Sequence, residues 1–202
     1  VSIIADLTLK IIKDEGIDPA RVLIAGISAG GAMAANMVAE YPELWRAGAM
    51  HSSLPAHAAN SQAVALLAMK DGAKDPDALG AVTHTSMGPR AKVVPMVLVH
   101  GVMDPLVSIK NLAASARQWL VTASRVTGEA VPGAVEVHPA DSRLSAERYA
   151  LKDGSVVVEA WRVEGVAHAW SGGSAEGTYT APAGPDATAL IAAFFKQQLS
   201  KR

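Results

Sequence analysis

The 202-residue sequence contains no cysteine. That absence excludes a disulfide framework, a thiolate metal site and a cysteine nucleophile, while leaving both reducing and oxidising compartments open. Aromatic residues are scarce, at 4%, which argues against a broad aromatic platform for gripping a polymeric ligand. No charge of one sign predominates: 18 basic and 19 acidic residues give a net charge of -1. Without a like-charge run, neither nucleic acid nor an anionic membrane is expected as a partner. Long apolar runs are also missing, since charge or glycine interrupts each within about ten residues, too few to span a bilayer. The first residues, Val1-Ser2-Ile3-Ile4, show neither an initiator Met nor a basic segment leading to an A-x-A site, so the start is read as other than that of an intact precursor.

With 50% hydrophobic and 18% charged residues, the chain has an ordinary globular composition, and a single domain over 1–202 is expected. Ile3, Ile4, Leu7, Ile11 and Ile12 fall near a 3.6-residue period, which predicts a helix capped by Ser2 and ended near Glu15 by Gly16. Arg21 to Ala25 reads as a short buried strand and Ala32 to Glu40 as a helix, with a glycine-rich turn between them. Ala47 to Met50 and Val93 to His100 are further strand candidates. Ala58 to Lys70 and Lys110 to Val126 are read as helices, and Asp71 to Pro89 as a loop. Asp153-Gly154 separates two strand-like runs, predicting a hairpin with a tight two-residue turn. Pro185, placed in a first turn, opens a last amphipathic helix. Strands alternating with helices predict an α/β fold with a mostly parallel sheet covered on both faces.

The segment Ala25-Gly-Ile-Ser28-Ala-Gly-Gly31 contains G-x-S-x-G between a predicted strand and helix. Such a turn strains the serine backbone and exposes its hydroxyl, and small neighbours, Gly26 and Gly30, avoid clashes. The backbone N–H of Ala29 then faces a developing oxyanion. A serine nucleophile needs a histidine base and an acid that orients it. Asp104 follows the Val93 strand, and His168 lies in a glycine-flanked loop after a strand ending near Val163. The order Ser28, Asp104, His168 is that of α/β-hydrolases rather than of the chymotrypsin or subtilisin types. Asp141 and Asp153 are weaker stand-ins for the acid. Trp170, two residues beyond His168, is either a substrate-contacting wall or part of the core. The histidines at 51, 57, 84, 100 and 138 show no metal-ligand spacing and are read as structural or exposed, so no metal is assigned.

The sequence resembles the α/β-hydrolase esterases grouped with type I polyhydroxybutyrate depolymerases and the related feruloyl and acetylxylan esterases. The resemblance rests on GISAGGAM at 26–33, HSSLP at 51–55, HGVMD at 100–104, GVAHAWSGG at 165–173 and YTAPAGPDA at 179–187. It implies Ser28 as nucleophile, Asp104 as acid and His168 as base. It also implies hydrolysis of a small ester or polyester without a cofactor, and a secreted or periplasmic setting shared by many members.

An α/β-hydrolase has several strands before its nucleophile strand, and one of their loops supplies a second oxyanion N–H. Here only one helix precedes Arg21, so a missing N-terminal segment or a second chain is expected to complete the sheet. Two rival readings accompany the esterase: an inactive or assembly-dependent part of such a hydrolase, and a nucleotide-binding half-domain. Against the latter, Ser28 occupies the place where G-x-G-x-x-G wants its second glycine.

Overall fold

The computed structural model describes residues 1–200. Helix α1 (Ser2–Asp14) ends at Gly16, whose φ of +61° favours a residue without a side chain. Ser2 lies inside the helix rather than capping it; Val1 occupies the cap position, and no side chain bonds the first-turn amides. Strand β1 (Leu23–Ile27) starts two residues later than its apolar run. The Asp18 carboxylate accepts the Ala20 N–H and winds Pro19–Arg21 into a 3₁₀ turn.

Helix α2 (Ala29–Glu40) begins immediately after Ser28, three residues earlier than its helix-forming composition suggests. Then follow β2 (Ala47–His51), α3 (Gln62–Asp71), α4 (Pro76–Met87), β3 (Met96–Gly101) and α5 (Lys110–Thr127). Helix α4 replaces the loop expected over 71–89. Its apolar periodicity is weak, but Asp75 accepts the Ala78 N–H and Pro76 sits in the first turn, together forming a start signal. Gly80 allows α4 to lie against α5: a Cβ there would stand 2.6 Å from Val121 and 2.7 Å from the Gln118 carbonyl.

The remaining elements are β4 (Val135–Val137), β5 (Leu144–Ala150), β6 (Val156–Val163), the two-residue strands β7 (Trp170–Ser171) and β8 (Thr180–Ala181), and α6 (Ala187–Ser200). The β5–β6 hairpin turns through Lys152-Asp153-Gly154 rather than through two residues. Leu151 N–H bonds to Ser155 O across it, and Gly154 has φ +82°. Asp186, not Pro185, caps α6 by accepting the Ala189 N–H.

Six strands form one sheet in the order β1-β2-β3-β6-β5-β4, parallel from β1 to β6 and antiparallel beyond. Alternate side chains of β3 enter different cores. Met96 and Leu98 pack with Met37, Trp45 and Trp119 on the α2–α5 face, while Val97 and Val99 meet Ile191 and Phe194 of α6 on the other. Strand β1 is an edge, and Ile3, Leu7, Leu9 and Ile11 of α1 are exposed. The parallel strands share one consequence: β1, β2, β3 and β6 all end on the side where ligand sites of open α/β sheets collect.

Candidate active site

Ser28 joins β1 to α2 with φ +54° and ψ -123°, a backbone conformation costly for any residue with a side chain. The strain is held in place from three sides. Ser28 N–H donates to the His51 carbonyl at 2.8 Å; Ser28 O accepts from Ala32 N–H at 3.0 Å and from the Ser53 hydroxyl at 2.7 Å. Gly26 is sterically required, because a Cβ there would lie 2.2 Å from Gly30 O. Gly31 is similar, with Ser53 2.7 Å away. Gly30, expected to be small for the same reason, would direct a Cβ into open space. Ala29 opens α2, so its N–H belongs to the first turn, where amides lack intrahelical partners.

The structure brings Ser28, His168 and Asp104 into one hydrogen-bonded chain. Ser28 Oγ lies 2.9 Å from His168 Nε2, and His168 Nδ1 lies 2.7 Å from Asp104 Oδ2. A carboxylate accepts, so Nδ1 carries the ring proton and Nε2 is left to accept from the serine hydroxyl. Asp104 is fixed by its other oxygen, which accepts the Leu106 and Val107 amides at 2.9 and 2.8 Å. Burial alone would raise the Asp104 pKa. His100, the Val107 amide, His168 and the Leu106 amide outweigh it and hold the carboxyl well below the usual carboxylate range. Gly101 makes the meeting possible: a Cβ there would collide with Val166 O at 2.3 Å, where the His168 loop crosses the end of β3. Asp141 instead pairs with Arg143, and Asp153 accepts the Ser155 amide in its hairpin.

Two histidines read from the sequence as structural or exposed are buried against this chain. His100 Nε2 donates to Val107 O at 2.8 Å, beside Asp104. His51 Nε2 accepts the Ser171 N–H at 3.2 Å, which leaves its Nδ1–H to donate to Ser52 Oγ at 3.0 Å. Desolvation, reinforced by His100, lowers the His51 pKa to about 3, so this ring is neutral near pH 7. Only the HSSLP segment hinted at His51; no spacing rule connects it to residues 120 positions away.

A cavity of about 390 Å³ opens on Ser28. Its walls are chiefly apolar: Ala29, Ala32 and Met33 of α2, Leu54, Pro55, Ala58, Ala59, Ala65, Met69 and Val107, with Ser53, Asn36 and His57 as polar members. Trp170 is placed outside this lining. It stacks on His51 with ring centroids 5.1 Å apart and donates from Nε1 to Thr188 Oγ1. Among the described residues no group of three His, Asp or Glu side chains is arranged to hold a metal ion, and no helix is long and apolar enough to cross a membrane.

The sequence matches the family described as esterase PHB depolymerase over residues 1–139, more than half of the chain. That span includes Ser28 and Asp104; His168 lies beyond it. No curated protein matches the sequence. Among solved structures, an acetyl xylan esterase from Aspergillus awamori is similar at 22% identity and TM-score 0.62, over 83% of this chain and 61% of that one. A variant of Arabidopsis thaliana SOBER1 aligns at 18% identity and TM-score 0.53, over 98% and 62%. A PHB depolymerase complexed with R3HB trimer aligns at 14% identity and TM-score 0.53, over 80% and 44%. The chain therefore spans less than two thirds of each of these proteins, and the likeness establishes the α/β-hydrolase fold.

Proposed function

From the premise that the chain belongs to the PHB depolymerase esterase family, we propose that it hydrolyses carboxylic esters, of hydroxyalkanoate or feruloyl and acetyl type, through a covalent acyl-enzyme. The observation that carries this reading is the chain from Ser28 Oγ through His168 to the buried Asp104 carboxylate, beside an apolar cavity.

In this reading His168 Nε2 takes the proton from Ser28 as Oγ attacks the ester carbonyl carbon. Negative charge develops on the carbonyl oxygen, and the Ala29 N–H at the start of α2 stabilises it. His168 passes its proton to the departing alcohol as the C–O bond breaks, leaving an acyl group on Ser28. Water, deprotonated by His168, then attacks the acyl carbon, and release of the acid returns the proton to Ser28. Asp104 keeps the proton on Nδ1 throughout, which holds Nε2 in its accepting form. The negative charge also favours the imidazolium that forms transiently.

The test is labelling of the purified chain with a fluorophosphonate, read by intact mass and peptide mapping. One adduct on Ser28, lost in His168→Ala, supports the reading; a folded chain that takes no adduct opposes it. A second reading, in which turnover depends on a further segment or chain, is favoured by the edge position of β1 beside the serine turn. Its mark is a copurifying polypeptide whose removal abolishes labelling and whose return restores it.

A further inference from the structure

The cavity beside Ser28 has a direction. Ala29, Ala32, Met33 and Asn36 lie on one face of α2 at spacings of three and four residues, and all four line it. At 1.5 Å per residue, the wall runs for about 10 Å from the serine turn to Asn36. Most of the other lining residues are small or apolar, so the near part of this groove offers hydrophobic contact and few polar partners.

The far end differs. Asn36 Oδ1 accepts the backbone N–H of His57 at 3.0 Å, which fixes the orientation of the amide. Its Nδ2 group has no hydrogen-bond partner among the described residues, and Asn36 is one of the residues that line the cavity. His57 is held in left-handed backbone, φ +57°, and its Nε2 points to Glu40 at 3.6 Å, away from any closer bond. A strained residue and an amide donor without a protein partner thus line the Asn36 end of a largely apolar groove.

We infer that this groove receives the acyl part of the ester attacked by Ser28, and that it selects acyl groups with an apolar stem carrying an acceptor oxygen, a carbonyl or ether, at the distance of Asn36. The inference rests on the esterase reading for the identity of the reacting end. Stem contact contributes to affinity in proportion to the apolar area buried, and the Asn36 donor rewards an oxygen where a methylene would leave it unpaired.

The experiment is an NMR titration of the full chain with three non-hydrolysable probes: N-methylacetamide, N-methyloctanamide, and the octanamide with a ketone at the penultimate chain carbon. The two long probes are expected to shift the Asn36 side-chain amide and His57 ring signals, and the short one to leave them unmoved. The ketone should bind about threefold to tenfold more tightly than the plain octanamide. In Asn36→Asp, which retains an acceptor for the His57 N–H but loses the donor, that preference should vanish. Long probes that leave both residues unmoved, or a ketone preference that persists in Asn36→Asp, overturn the inference. If this variant does not fold, a wild-type ratio near one overturns it equally. Fluorophosphonate labelling of Ser28 is read separately. Labelling without groove binding removes the inference and leaves the esterase; binding without labelling removes the esterase and with it the acyl assignment, leaving only a groove that binds an apolar chain.

Discussion

His51 reaches Ser28 and the His168 loop at once. Its carbonyl accepts the Ser28 N–H at 2.8 Å, while its ring accepts the Ser171 N–H at 3.2 Å and stacks on Trp170. One residue at the end of β2 therefore sets the register between the serine turn and the loop that carries the histidine, elements 140 residues apart in sequence.

His51 also makes stability depend on pH. Its folded pKa, about 3, lies below the ordinary value near 6.5, so between these values the unfolded chain binds more protons. The contribution is present above pH 6.5 and is lost as pH falls toward 3, to a total on the order of 4–5 kcal/mol. Urea denaturation between pH 7 and 4.5 should show a downward slope that is shallower in His51→Gln. Equal slopes would remove His51 as the cause.

The left-handed backbone of Ser28 predicts a difference between two variants at this position. Ser28→Gly and Ser28→Ala both lose the hydroxyl, but only glycine adopts φ +54° without strain. Thermal denaturation should find Ser28→Gly more stable by about 1 kcal/mol, even though glycine ordinarily costs entropy. The opposite order would mean that the turn is unstrained.

The two glycines of the motif should behave differently. Gly26→Ala forces a Cβ to within 2.2 Å of Gly30 O, a backbone atom that cannot swing aside. A loss at or above the top of the usual overpacking range, about 3 kcal/mol, is expected. Gly30→Ala meets open space within a helix and should gain about 0.5–1 kcal/mol from helix propensity. Denaturant midpoints for the pair decide this.

Asp104→Asn leaves an oxygen for the Leu106 and Val107 amides but presents a neutral group to His168. Ester turnover should fall on the order of 10⁴-fold with the fold intact, as expected when the ring loses its orienting charge. A fall below tenfold would show that another acid serves His168.

Parts of this arrangement were legible locally. The strand–turn–helix around Ser28 follows from a short apolar run, small residues and a helix-forming segment, all within 20 positions. Asp104 and His168 were recognisable because each follows a strand candidate and stands in hydrolase order. Helix α4 was missed because Gly80 and Thr83 face α5, so their value lies in close packing rather than in hydrophobic periodicity. Proximity to His168 in sequence suggests a wall or core role for Trp170, whereas its ring turns to His51 and Thr188.

By itself the sequence determined most of the strands and helices, though not α4, β4, β7 or β8, and which serine, acid and histidine stand at their ends, because propensity, capping and turn chemistry act between near neighbours. The tertiary structure alone decided the strand order that sets β1, β2, β3 and β6 side by side, the burial of His100 beside Asp104 and of His51 against Trp170, and the groove from Ser28 to Asn36. These depend on contacts between elements well separated in sequence, the widest being His51 with Ser171, 120 positions away, where side-chain shape and desolvation act only after the sheet has assembled.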